Sequence, residues 1–112
     1  MSQMIASGEA LLLNSLVTPT AEGIASRILA KTSDGNVTLF AFAAGQGLTE
    51  HTSPFEALVL VLEGACTLNI DGVPVRATPG TVVRMPASTP HSVEAIEATR
   101  VLLVMLRESN RQ

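Results

Sequence analysis

The sequence predicts an all-β domain, a sandwich, jelly roll or small barrel of seven to nine short strands. Three observations carry this expectation. Short apolar runs alternate with turn residues along the chain. The apolar content is mostly Val, Leu, Ile and Ala, accompanied by eleven threonines, and β-branched side chains suit a pleated surface. Asp-Gly pairs at Asp34-Gly35 and Asp71-Gly72 each separate two such runs, because both residue types tolerate the positive φ of a tight hairpin.

Taken in order, Glu9–Val17 places Leu12, Leu13 and Leu16 at helical spacing, although the same residues fit a strand equally. A strand is expected from about Ile24 to Lys31, since Gly23 and two isoleucines disfavour a helix there. Val37–Ala44 is its hairpin partner across Asp34-Gly35. The segment from His51 through Ser53 to the apolar run Leu58–Leu62 reads as one strand. Ala65–Ile70 and Val73–Thr78 form the second hairpin. Pro79-Gly80 turns the chain into Thr81–Met85, the loop Pro86–Pro90 follows, and His91–Ala95 and Arg100–Arg107 are the last strands. All six prolines fall at run edges or in loops, where the missing N–H does no harm.

With 112 residues, 46% hydrophobic and 15% charged, the chain is expected to form a single domain over 1–112. Its barrel core spans about 37–106, with an N-terminal arm over about 1–23. The net charge is −3, with one lysine and six scattered arginines, which gives no electrostatic footprint for nucleic acid or an anionic membrane. No apolar run reaches the roughly 20 residues that span a bilayer. The start Met1-Ser2-Gln3-Met4 lacks the features of a signal peptide. Cys66 is the sole cysteine, so no disulfide framework or cysteine-rich zinc site is expected, and it reads as a small buried core residue. A cytoplasmic protein follows.

The two histidines occupy Gly45-Gln46-Gly47-Leu48-Thr49-Glu50-His51-Thr52-Ser53-Pro54-Phe55-Glu56 and Gly80-Thr81-Val82-Val83-Arg84-Met85-Pro86-Ala87-Ser88-Thr89-Pro90-His91. The pattern resembles the cupin superfamily, the double-stranded β-helix or jelly-roll barrel proteins. Gly45, His51 and Gly64 fall in register with the first cupin motif, G-x5-H-x-H-x3-4-E-x6-G. Gly80, Pro86 and His91 fall in register with the second, G-x5-P-x-G-x2-H-x3-N. The resemblance covers about Val37 to Leu106 and implies a jelly-roll (double-stranded β-helix) barrel of the cupin type. It also implies a divalent metal such as iron, manganese, nickel or zinc, and oxygenase or isomerase chemistry on a small organic substrate, acidic ones included.

The match to the family's ligand set is partial. His51 and His91 stand at two histidine positions, while Ser53 replaces the other histidine and Ala57 the glutamate. Ser88 replaces the second motif's glycine and Ala95 its asparagine. Two neutral imidazoles can still hold a divalent ion with water completing its shell. By alternation His51, Ser53 and Ala57 share one inward strand face, and Glu56 points outward unless Pro54 introduces a bulge that turns it in as a third ligand. Met85 and Met105 are expected to line or fill the barrel. Arg84 either clamps a carboxylate ligand from inside or is a solvated edge residue.

Two functions follow: a metal-assisted enzyme acting on a small molecule, or a metal-free ligand-binding or sensing module, to which the losses at Ser53 and Ala57 point. With only Phe40, Phe42 and Phe55 as aromatics and none expected at the pocket, a flat polyphenol held by stacking is disfavoured. Leu58, Leu60 and Leu62 should face out from the barrel, and the segment around Leu11–Leu13 is too short to cover them together with the strand Val101–Leu106. Exposed leucines on this scale call for a partner, so a homodimer with Leu60 in or beside its interface is expected.

Overall fold

Two antiparallel sheets enclose the interior in a computed structural model that describes residues 4–107. The first three residues read for a targeting signal, Met1-Ser2-Gln3, lie outside the described residues. Nine strands follow the turn signals closely: β1 (Ile24–Thr32), β2 (Gly35–Phe42), β3 (Gly47–His51), β4 (Phe55–Glu63), β5 (Cys66–Ile70), β6 (Val73–Ala77), β7 (Val82–Met85), β8 (His91–Ala95) and β9 (Thr99–Arg107). They form a five-stranded sheet ordered β1-β2-β9-β4-β7 and a four-stranded sheet ordered β3-β8-β5-β6. The fold is the expected all-β jelly roll.

The two hairpins use their glycines differently. Asp71 and Gly72 take φ of 52° and 81°, the doubly left-handed pair that matches strand twist. In the first hairpin Thr32 pairs with Gly35, so the two-residue loop is Ser33-Asp34, one position earlier than the Asp-Gly signal suggests. Gly35 instead permits a close approach. A Cβ there would lie 1.9 Å from the Met105 carbonyl oxygen on β9. Pro74 lies within β6, an edge strand, where its lack of an N–H breaks no ladder.

Glu9–Val17 forms neither a helix nor a strand; a three-residue 3-10 turn at Leu13–Ser15 is its only regular structure. Tertiary packing overrides the local pattern here. Ile5, Leu13, Leu16 and Val17 lie on Leu29, Leu39 and Ala41 across the outer face of the larger sheet. The Ile5 N–H donates to the Leu29 carbonyl at 2.9 Å, at the point where the β1–β2 register shifts between Ile28 and Ala30.

The single strand expected from His51 to Leu62 begins only at Phe55, and His51 instead ends β3, a strand over Gly47–His51 that the sequence reading did not anticipate. Thr52–Pro54 carries the chain from β3 in the smaller sheet to β4 in the larger one. Pro54 has no N–H to continue a ladder, and the Ser53 hydroxyl oxygen accepts the Phe55 N–H at 3.0 Å, a local turn that competes with strand pairing. Along β4, Ala57, Val59 and Val61 are buried, while Leu58, Leu60 and Leu62 alternate outward and are half-buried. The buried core joins Ala57, Val59 and Val61 to Cys66, Leu68 and Ala77 of the opposite sheet.

Candidate functional site

The interior contains a cavity of about 210 Å³ between the larger sheet and strands β3 and β8. His51, Ser53, Ala57, Met85, His91 and Met105 all border it, so every residue the sequence placed in the pocket lines one space, except Glu56. His51 and His91 pair directly across β3 and β8. Their ring centroids are 4.4 Å apart in an edge-to-face arrangement. His51 is exposed at the mouth and His91 is 5% exposed.

Both imidazoles are held the same way. His51 Nδ1 lies 2.7 Å from the Thr49 carbonyl, and His91 Nδ1 lies 3.0 Å from the Thr89 carbonyl. A carbonyl only accepts, so each Nδ1 carries a proton, and in a neutral ring that leaves the lone pair on Nε2. Neither Nε2 is hydrogen-bonded among the described residues. Anchoring of the second ring nitrogen by a backbone carbonyl is the usual support for a metal-bound histidine.

The donor set fits a metal ion only in part. No group of three His, Cys, Asp or Glu side chains is placed to hold one among the described residues. Any ion here would rest on His51 and His91 and keep most of its positions for water or a bound molecule.

Glu56 does not supply the missing carboxylate. Alternation holds along β4, and Glu56 lies outside the cavity, paired with Arg84 at 2.5 Å. Arg84 is on the outer side as well, with its side chain 62% exposed. The other Glu56 oxygen accepts the Ala87 N–H at 2.9 Å. That backbone hydrogen bond, then Arg84, holds the Glu56 carboxyl below the usual carboxylate range.

These contacts fix the loop between β7 and β8. Ser88, at the position where the cupin motif has glycine, adopts φ of 60°, a conformation costing a non-glycine residue about 1–2 kcal/mol. Its N–H donates to the Ser53 carbonyl at 2.7 Å. The loop that precedes His91 is thus tied to the crossover that follows His51. Cys66 lies away from the cavity, fully buried and unpaired, and desolvation pushes its thiol pKa up.

Sequence reading missed most of the cavity wall. Phe40 and Phe42 both line it, with parallel rings whose centroids are 5.6 Å apart. Two aromatic side chains therefore border the cavity, contrary to the expectation of a pocket without aromatics, because the pairing of β2 with β9 turns this strand face inward. Their i, i+2 spacing puts both on one strand face; which face is inward depends on the pairing of β2 with β9. Val59, Val93, Val101 and Leu103 complete the apolar surface.

Comparison with known proteins agrees with this architecture. A conserved protein of unknown function from Streptococcus pyogenes is 32% identical, with 97% of each chain covered and a TM-score of 0.89. A cupin superfamily protein from Desulfitobacterium hafniense is 24% identical over 95% of this chain and 97% of its own, with a TM-score of 0.87. A cupin 2 conserved barrel domain protein from Leptotrichia buccalis is 31% identical over 83% of this chain and 45% of its own, with a TM-score of 0.80. No curated protein matches the sequence. The family described as Cupin domain matches residues 38–106, more than half of the chain and both histidine motifs, and the chain belongs to that family.

Proposed function

We propose that the protein binds a small organic molecule inside the barrel, with the His51–His91 pair as its polar anchor and as the holder of a divalent metal such as iron, manganese, nickel or zinc. One observation carries this reading. Two carbonyl-anchored imidazoles border one cavity, and neither Nε2 is hydrogen-bonded among the described residues. When bound, such an ion supplies Lewis-acid polarisation of the ligand, the chemistry an oxygenase or isomerase role would need. His51 and His91 would hold it, Ser53 would stand beside the ligand's polar end, and the apolar wall would exclude water. The other reading, a metal-free binding or sensing module, is favoured by Ser53 and Ala57, which leave only two nitrogen ligands at the cavity.

Calorimetric titration of metal-stripped protein with manganese and zinc distinguishes the two. Stoichiometric binding that is lost in His51→Ala and in His91→Ala, and kept in Glu56→Ala, supports the metal centre. Absence of binding in wild type favours the metal-free module.

The proposed assembly is a homodimer. Leu58, Leu60 and Val104 remain half-buried on the outer face beyond the N-terminal arm, and Val82 and Leu106 are 58% and 51% exposed beside them. Sedimentation equilibrium should give twice the 11.7 kDa chain mass, and Leu60→Glu should shift it to monomer. A wild-type monomer would overturn the proposal. No helix among the described residues is long and apolar enough to cross a membrane. The proposed compartment is the cytoplasm, where a lone thiol such as Cys66 stays reduced.

A further inference from the structure

We propose that Glu56 is a positioning residue for His91: from outside the cavity it holds the β7–β8 loop whose Thr89 carbonyl sets the His91 ring. The proposal rests on reading His51 and His91 as the polar pair of the site, and adds what keeps them in place.

The two ring anchors differ in their support. Thr49, whose carbonyl meets His51 Nδ1, belongs to strand β3. Thr89, whose carbonyl meets His91 Nδ1, lies outside the strands, in the loop between β7 and β8. The His91 backbone is fixed by its pairing with His51 and Ile70, but a side chain still chooses among staggered rotamers. Among the described residues the Thr89 carbonyl is the hydrogen-bond partner of the His91 ring. The ring therefore goes where the loop puts that oxygen.

The loop itself needs holding. Ser88 has φ of 60°, and a left-handed serine persists only where its surroundings impose that conformation. Two contacts do so from neighbouring residues. Glu56 Oε2 accepts the Ala87 N–H at 2.9 Å, and the Ser53 carbonyl accepts the Ser88 N–H at 2.7 Å. The Thr89 hydroxyl then donates to the Ala87 carbonyl at 3.3 Å. Ala87, Ser88 and Thr89 thus link Glu56 to the His91 ring without Glu56 touching the cavity. Removing the Glu56 oxygen leaves the Ala87 N–H without its partner and lets Ser88 relax, and the Thr89 carbonyl moves with it.

For the position of the loop, the oxygen matters rather than the charge. The Arg84 side chain that pairs with Glu56 is 62% exposed, and exposed ion pairs hold geometry weakly. The bond to the Ala87 N–H is part-buried, where a lost acceptor is felt more.

The test compares Glu56→Ala with Glu56→Gln, which keeps an oxygen for the Ala87 N–H. In metal-stripped protein, the nuclear Overhauser cross-peak between the His51 and His91 rings should weaken in Glu56→Ala and persist in Glu56→Gln. The amides of Leu68 and Ala77, on the far strands β5 and β6, should not move in either. Zinc titration should show stoichiometric binding throughout. Glu56→Ala should bind about tenfold more weakly, the low end of the roughly 10–100-fold contributed by partners behind metal-bound histidines, and Glu56→Gln should stay within about threefold of wild type. An unchanged cross-peak in Glu56→Ala would overturn the proposal. So would Glu56→Gln behaving like Glu56→Ala, since charge would then be the cause. Movement of the Leu68 and Ala77 amides would overturn it by showing a general loosening. A wild type without the cross-peak would overturn the histidine pair and the proposal together. If wild type binds no zinc, the metal reading fails, and the cross-peak alone decides the positioning role.

Discussion

Beneath β5 and β6, Cys66, Leu68 and Ala77 are each 0% exposed and belong to one buried cluster with residues of the larger sheet. Beneath β3 and β8, the same larger sheet faces His51, Leu48, His91 and Val93 across open space. β5 and β8 alternate in the same way, whereas β3 does not, and its register with β8 shifts between Leu48 and His51. On the closed side, Cys66 pairs with Ala77 and Ala95, and small side chains let the layers meet. On the open side, the chain leaves the sheet at Thr52–Pro54. The β7–β8 loop is pinned to that crossover through the Ser88 N–H and the Ser53 carbonyl, 2.7 Å apart. The two loops at the open side are thus tied to each other rather than packed into the interior.

Truncation in the two regions should sharpen the contrast most. Leu68→Ala should lower stability by about 2–5 kcal/mol, since closed packing leaves a cavity behind. Met105→Ala, at the half-buried cavity wall, should cost under about 2 kcal/mol because it enlarges a space that already exists. Urea denaturation measures both. Equal losses would show that the two regions are packed alike.

A smaller difference is expected from polar exchange. Cys66→Ser places a hydroxyl in a fully buried apolar setting and should cost about 1–3 kcal/mol. Ser53→Ala removes one local hydrogen bond at the cavity edge and should cost about 1 kcal/mol or less. Thermal unfolding of the two variants, compared with wild type, checks the order.

The smallest effect concerns the clasp at the open side. The folded-state pKa of Glu56 is lowered by the Ala87 N–H and by Arg84, so its contribution is present above the unfolded carboxyl pKa near 4.3. It is lost as pH falls through the lower folded value. The stability gap between wild type and Glu56→Gln should therefore be constant from about pH 6 to 8 and close in acid. Because the pair is solvent-exposed, added salt should reduce the gap as well. A gap that widens in acid would show that Glu56 does not act through its charge.

Much of this molecule is legible in the sequence. Turn residues and apolar runs locate the strands to within a few residues, because Asp-Gly and Pro-Gly restrict the backbone wherever they occur. The joint register of Gly45, His51 and Gly64 with Gly80, Pro86 and His91 identifies the family, and alternation correctly puts Ala57, Val59 and Val61 inside and Leu58, Leu60 and Leu62 outside. Those are properties of neighbouring residues along one chain.

Tertiary structure decided the rest, because the remaining features depend on which strands meet. The split of 51–62 into β3 and β4 follows from where the chain changes sheets, and the irregular path of Glu9–Val17 from the surface it covers. Phe40 and Phe42 become cavity wall only through the pairing of β2 with β9, and Gly35 is required by a carbonyl 70 residues away in sequence. The tautomers of His51 and His91 are set by the carbonyls of Thr49 and Thr89, two residues before each ring. Their meeting at 4.4 Å, however, depends on the β3–β8 register. Local sequence fixes what each strand presents; only the closure of two sheets determines which side chains share a space.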